Sequence, residues 1–261
     1  MKLLILTDLE GVSGIVEWDK HEKATSEERA YQQYLMTNEI NGAVEGALKG
    51  GAKEIFVLDG HGTGNLSVVD IKQLHPAAIL YKGLGPITPK NVGMKKGRWD
   101  AMVFIGNHSM GGTKNGVLCH TFNRVTKAMY LNKLLVGEFG VWAAIAGDFG
   151  MPVIAVSGDK EACKQAKRLI PDIETAVVKY GTGLHRAWCL SPQKAKELIS
   201  KKVEKAVKNW KNIKPFIIKG PVVLREEIEN TVKEIKARTV TEAFEIRCGG
   251  VGSYSITRNE I

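Results

Sequence analysis

The sequence predicts an α/β fold: a mostly parallel sheet with flanking helices over residues 1–190, then a smaller α+β subdomain over residues 191–261. Three observations predict it. Apolar runs of strand length alternate with helical patterns through most of the chain up to Pro192, the signature of successive β-α-β units. Several of those runs empty into Asp, Glu or His residues beside glycines, as strands do at the working edge of an open sheet. Beyond about residue 190, strand-like runs follow one another with one charged helix among them, a pattern that suits a separate α+β unit.

The first strand is Leu3-Leu4-Ile5-Leu6, which runs into Thr7-Asp8-Leu9-Glu10-Gly11. A loop with Gly11, Gly14 and Trp18 leads to Thr25-Ser26-Glu27-Glu28, a capping-box signature. A helix follows, with apolar residues at helical spacing from Tyr31 to Leu48, and Gly50-Gly51 stops it. Glu54–Leu58 is the second strand and opens into Asp59-Gly60-His61-Gly62-Thr63-Gly64. Ala101–Gly106 is the next, followed by Asn107-His108 and a loop with Gly111, Gly112 and Gly116. Cys119-His120 closes a short apolar stretch, and Leu134-Leu135-Val136-Gly137 leads into Glu138, which starts a helix through Val141, Trp142, Ile145 and Ala146. Met151–Ser157 and Thr175–Val178 are further strands, with a helix opening at Gly158-Asp159. Ser191-Pro192 starts another helix, Pro at its first position. The C-terminal expectations are strands at Phe216–Ile218, Val222–Leu224, Thr239–Ile246 and Ser253–Thr257, with a charged helix over Glu226–Ile235.

Composition narrows the function classes. Hydrophobic residues at 44% and charged residues at 25% suit an ordinary globular protein. No apolar run nears the roughly 18–20 residues of a membrane span, so no membrane partner is expected. The opening run is too short for a signal-peptide core, and Cys119, Cys163, Cys189 and Cys248 are scattered without a Cys-x-x-Cys pair. A cytoplasmic protein with reduced thiols is expected. The net charge of +9 raises nucleic-acid binding. Its densest stretch, six lysines against two glutamates over 194–208, falls mostly on the polar face of the amphipathic helix and has no interleaved aromatics, so no nucleic-acid partner is expected.

Asp8, Glu10, His61, His108, His120 and Glu138 all lie at or just after strand ends, and parallel topology gathers such ends at one edge. Residues i and i+2 of an extended chain point the same way, so Asp8 and Glu10 converge, and two anions together call for a cation. Taken singly, each residue has a plainer role: Asp8 a turn cap, His61 a loop histidine, His120 a packed core histidine, Glu138 a complement to its helix dipole. Together, imidazoles and carboxylates suit Zn²⁺, or less specifically Mn²⁺ or Co²⁺. Five ligands exceed what one catalytic zinc uses, so the reading is a two-metal site with Asp8 as the bridging carboxylate.

Asp8-Leu9-Glu10-Gly11, Asp59-Gly60-His61, Gly106-Asn107-His108, His120 and Val136-Gly137-Glu138, in that order, resemble the motif set of the D-aminopeptidase family of zinc peptidases. The resemblance runs to about Pro192 and is expected to fade after about residue 220. It implies two zinc ions on Asp8, Glu10, His61, His108 and Glu138, a catalytic non-ligand histidine at His120, and a ring-shaped homo-oligomer, a pentamer doubled to a decamer. The expected function is a metal-dependent aminopeptidase acting on short peptides or amides, with an N-terminal D-residue among the candidate substrates. The alternatives are another dinuclear metallohydrolase such as a phosphoesterase, for which Lys114 is the one nearby basic residue, and a non-enzymatic nucleic-acid-binding module. Asp59 is either a partner for a site histidine or a turn cap.

Overall fold

The computed structural model of the chain describes residues 1–61, 67–83, 85–249 and 255–257. A seven-stranded sheet dominates the first 190 residues. Its strands are β1 (Lys2–Thr7), β2 (Glu54–Asp59), β3 (Ala78–Tyr81), β4 (Ala101–Asn107), β7 (Val153–Asp159), β8 (Glu174–Gly183) and β9 (Arg186–Cys189). Their spatial order is β3-β2-β1-β4-β7-β8-β9, and all neighbours are parallel except β8 with β9. The chain leaves β1 toward β2 and β3, then returns to place β4 on the other side of β1. That reversal leaves a crevice at the C-terminal ends of β1 and β4, where open sheets carry their sites. The register sets Thr7 beside both Asp59 and Ile105, so the strand ends are flush and Asp8, His61 and His108 follow at nearly one level.

Three further helices flank this sheet with α1 (Ser26–Gly50): α2 (Glu138–Asp148), α3 (Lys160–Leu169) and α4 (Pro192–Asn209). The capping box of α1 is present: Thr25 accepts from the Glu28 N–H while the Glu28 carboxylate accepts from the Thr25 N–H. Gly46 lets α1 and α4 approach closely, since a Cβ there would stand 2.2 Å from the Ser200 carbonyl oxygen. Much of the charge of α4 is paired: Lys196 with Glu45 at 2.7 Å, Lys202 and Lys205 both with Glu174. Among the described residues no helix is long and apolar enough to cross a membrane.

A second, antiparallel sheet has the order β12-β11-β10-β5-β6, from β5 (Thr126–Leu131), β6 (Leu134–Val136), β10 (Val222–Ile228), β11 (Thr231–Ala237) and β12 (Ser255–Thr257). The packing crosses the division expected at residue 190 in both directions. Helix α4 lies on α1, and β5 and β6 join the C-terminal strands.

Three C-terminal expectations need correction. The charged stretch 226–235 is not a helix but the hairpin of β10 and β11. Burial alternates along β10 from Val222 to Glu227, and opposite charges face each other across the hairpin, Arg225 across from Glu234 and Glu226 across from Lys233. Thr239–Ile246 is not a strand but α5 (Val240–Arg247), capped by the Thr239 hydroxyl accepting from the Glu242 N–H. Phe216–Ile218 pairs with no strand among the described residues; it runs along α2, where a Cβ on Gly147 would stand 2.0 Å from the Phe216 carbonyl oxygen. Gly62, Thr63, Gly64, Ser253 and Tyr254, which the sequence reading also used, lie outside the described residues.

Candidate metal centre

The crevice geometry starts with backbone crossing. After β1 the chain passes directly over the end of β4: the Asp8 N–H donates to the Ile105 carbonyl at 2.8 Å and the Gly11 N–H to that of Gly106 at 2.7 Å. Gly106 has φ +75°, and a Cβ there would meet the Asp8 carbonyl oxygen at 2.0 Å. Only glycine permits both the left-handed backbone and the contact. This crossing sets Asp8 against His108.

All six residues singled out from the sequence come together. Asp8 stands between two imidazoles: Oδ1 is 3.4 Å from His61 Nδ1 and Oδ2 is 3.2 Å from His108 Nε2. Glu10 Oε2 lies 3.2 Å from His61 Nδ1, and Glu138 Oε1 lies 3.2 Å from His108 Nε2. Glu138 opens α2 just after β6, and its Oε1 also accepts from the Phe122 N–H at 2.5 Å. His120 stacks on His108 with ring centroids 4.0 Å apart, and Trp18 meets its ring edge-on at 5.2 Å. Its Nδ1 donates to the Leu118 carbonyl at 2.9 Å, leaving Nε2 3.7 Å from Glu138 Oε1. The loop holding His120 is bent by two left-handed non-glycine residues, Leu118 (φ +49°) and Phe122 (φ +59°). Such strain persists only where surrounding contacts enforce it. Lys114 is exposed on this loop.

The donor set fits a cation. Nδ1 of His108 lies 2.9 Å from the Ser109 carbonyl, which can only accept, so Nδ1 carries a hydrogen. Nε2 of His61 faces Asp19 Oδ2 at 3.2 Å and is the donor there. Each ring therefore has one nitrogen pinned as donor and the other aimed at carboxylate oxygens. Glu10 Oε2 and His108 Nε2 are buried atoms without a hydrogen-bond partner among the described residues. Asp8, Glu10 and His108 form one cluster able to hold an ion; His108, His120 and Glu138 form a second. Burial pulls the His108 pKa down, but Glu138 and Asp8 outweigh it and hold it well above the ordinary value. His61 behaves likewise through Glu10, Asp19 and Asp8. For Asp8, burial pushes upward and loses to His108 and His61, which hold its carboxyl well below the usual range.

One residue here was not found from sequence. Asp19 is buried, orients His61, and also accepts from Arg29 Nη1 at 3.2 Å and the His21 N–H at 2.9 Å. His21 adds an imidazole 3.3 Å away, so Asp19, His21 and His61 make a third acidic-imidazole group. The partner role considered for Asp59 thus falls to Asp19. Asp59 instead accepts from the His61 and Val69 N–H groups, at 3.3 and 3.2 Å, and from the Ser67 hydroxyl. Its contacts are those of a loop cap.

A parallel sheet with carboxylates and imidazoles converging at its switch point defines a candidate metal-binding protein of the open α/β class. Comparison with known proteins narrows the class. A model of the D-aminopeptidase family matches residues 1–246, past the point near residue 220 where the resemblance was expected to fade. A D-aminopeptidase from Bacillus subtilis (strain 168) is 33% identical over 262 residues, covering 95% of this chain and 92% of the relative. The structure of the Zn-dependent D-aminopeptidase DppA from Bacillus subtilis, a self-compartmentalizing protease, superposes with a TM-score of 0.85 at 29% identity, covering 95% of each chain. The chain belongs to the D-aminopeptidase family and is a metal-dependent aminopeptidase.

Proposed function

We propose that this chain is a zinc aminopeptidase that removes the N-terminal residue of short peptides or amides, D-residues included, with two ions per chain held by Asp8, Glu10, His61, His108 and Glu138. The observation that carries the reading is Asp8 between two imidazoles, one oxygen to each, with each facing ring nitrogen free of any other donor duty. This arrangement supports Asp8 as the shared carboxylate, with Glu10 and His61 on one side and His108 and Glu138 on the other. Zinc, when bound, supplies Lewis acidity that lowers the pKa of water and polarises a carbonyl. The chain's own part is orientation and proton movement. Asp19 fixes the His61 ring and Ser109 the His108 ring. His120, its Nδ1 held by Leu118, presents Nε2 to accept a proton from water and return it to the leaving amine.

The zinc and D-residue assignments draw on the Bacillus subtilis relatives, as does self-association. We read the assembly as a ring, pentamer or decamer, and the setting as cytoplasmic, in keeping with four free cysteines. Metal-loaded protein assayed on paired L- and D-aminoacyl amides and on a generic phosphate ester tests the function. Amide hydrolysis favouring the D-forms is expected; turnover of the phosphate ester alone would overturn the proposal.

A further inference from the structure

A cavity of about 310 Å³ opens beside Asp8 and Glu138, between the ends of β1 and β4 and the helices α2 and α5. Away from those carboxylates its walls are mainly apolar: Phe104, Phe122, Trp142, Phe244 and Ile87. The rings brace each other, Phe122 and Trp142 both packing on Phe244 at centroid distances of 5.5 and 5.3 Å. The cavity is therefore already formed, as ligand pockets usually are. Arg247 is the one Lys or Arg among the described lining residues. It forks onto Glu226 at 2.8 and 3.1 Å and lays its guanidinium over Phe122 at 4.3 Å. Glu226 is buried and neutralises it. Among the described lining residues, the remaining charges are those of Asp8 and Glu138 at the metal end, and the far walls of this box are largely apolar and aromatic.

We propose that this cavity receives the side chain of the substrate's N-terminal residue and selects large apolar ones, aromatic or branched aliphatic, over alanine. The inference rests on the aminopeptidase reading, because a reacting amine and carbonyl at Asp8 and Glu138 leave the adjoining side chain this space to fill. Its volume sits at the small end of ligand pockets, which suits one side chain and not a long peptide. A charged side chain would lose its hydration there without gaining a partner. An alanine methyl would leave most of the box empty.

Two measurements test it. Free phenylalanine, leucine and alanine, each as both enantiomers, are titrated calorimetrically into the metal-loaded protein. The kcat/KM values of the corresponding amides are then compared for wild type and Ile87→Trp, which fills the box. Phenylalanine or leucine is expected to bind on the order of tenfold or more tighter than alanine, and the amides to follow the same order. Ile87→Trp is expected to cut the phenylalanine-to-alanine kcat/KM ratio by at least about tenfold. Alanine binding as well as phenylalanine in wild type would overturn the pocket assignment even where amide turnover upholds the aminopeptidase, as would a ratio unmoved in a folded Ile87→Trp. No turnover of any amide would instead overturn the functional reading, and the pocket assignment with it.

Discussion

The Lys179 ammonium, fully buried on β8, donates to the main-chain carbonyl of Glu10 and, at 2.6 Å, to that of Ile15. Burial lowers its pKa to about 8, with Asp159, Glu39 and Glu10 among the charges opposing that fall. The same loop is held by Glu39, which accepts from the Ser13 N–H at 2.8 Å, and by the Ser13 hydroxyl on the carbonyls of Val178 and Leu190. The backbone carrying Glu10 is thus fastened from beneath by β8 and α1.

Lys179→Met should leave two carbonyls unsatisfied and loosen residues 10–15. Metal affinity is expected to weaken on the order of tenfold, the usual scale for groups that support ligands, together with a lower Tm. Calorimetric metal titration of the folded variant decides it: unchanged affinity would make Lys179 a packing residue only.

Asp19→Asn keeps the shape at His61 but removes the charge that orients the ring. Metal affinity should fall about 10- to 100-fold. Asp59→Asn, altering a loop cap, should cause a smaller loss. Competition against a chelator of known affinity ranks the two variants, and a larger loss for Asp59→Asn would reverse the assignment.

His120→Ala should retain both ions and the fold while losing about a hundredfold or more in kcat, the usual scale for an acid–base group. Elemental analysis and turnover on one sample separate the outcomes. A missing ion would make His120 a ligand; near-normal turnover would make it a packing residue.

Burial raises the Glu39 pKa from an ordinary 4.5 to about 7, against the opposing effects of the Ser13 N–H, Lys179 and Ser157. A carboxyl whose folded pKa is raised contributes stability that is full below about pH 4.5 and is lost as pH rises through about 7. Wild type should therefore lose stability relative to Glu39→Gln between those values, as read by denaturant unfolding at each pH. A pH-independent difference between the two proteins would contradict this.

The legible parts of the sequence were those with local signatures. Asp8 and Glu10, which alone read as a turn cap and a solvated carboxylate, stood out because His61 and His108 repeat their placement at the ends of neighbouring strands. Asp19 gave no such signal: it lies in an aperiodic loop and reaches His61 only when the chain folds over β2. Lys179 was hidden because a lysine in a strand ordinarily faces water. The hairpin of β10 and β11 was misread because alternating charges in a strand resemble the polar face of a helix. The start of α5 was misread as a strand because of its β-branched residues, although Thr239 and Glu242 have the spacing of a capped first turn.

The central claim is that Asp8 joins two ions in one site. Elemental analysis of wild type and Asp8→Ala, each reconstituted with Zn²⁺ and freed of excess, tests it most directly. About two ions per chain are expected in wild type and fewer than one in Asp8→Ala, since both sites lose a ligand at once. A wild type that holds no ion, or an Asp8→Ala protein that keeps both, would contradict the account.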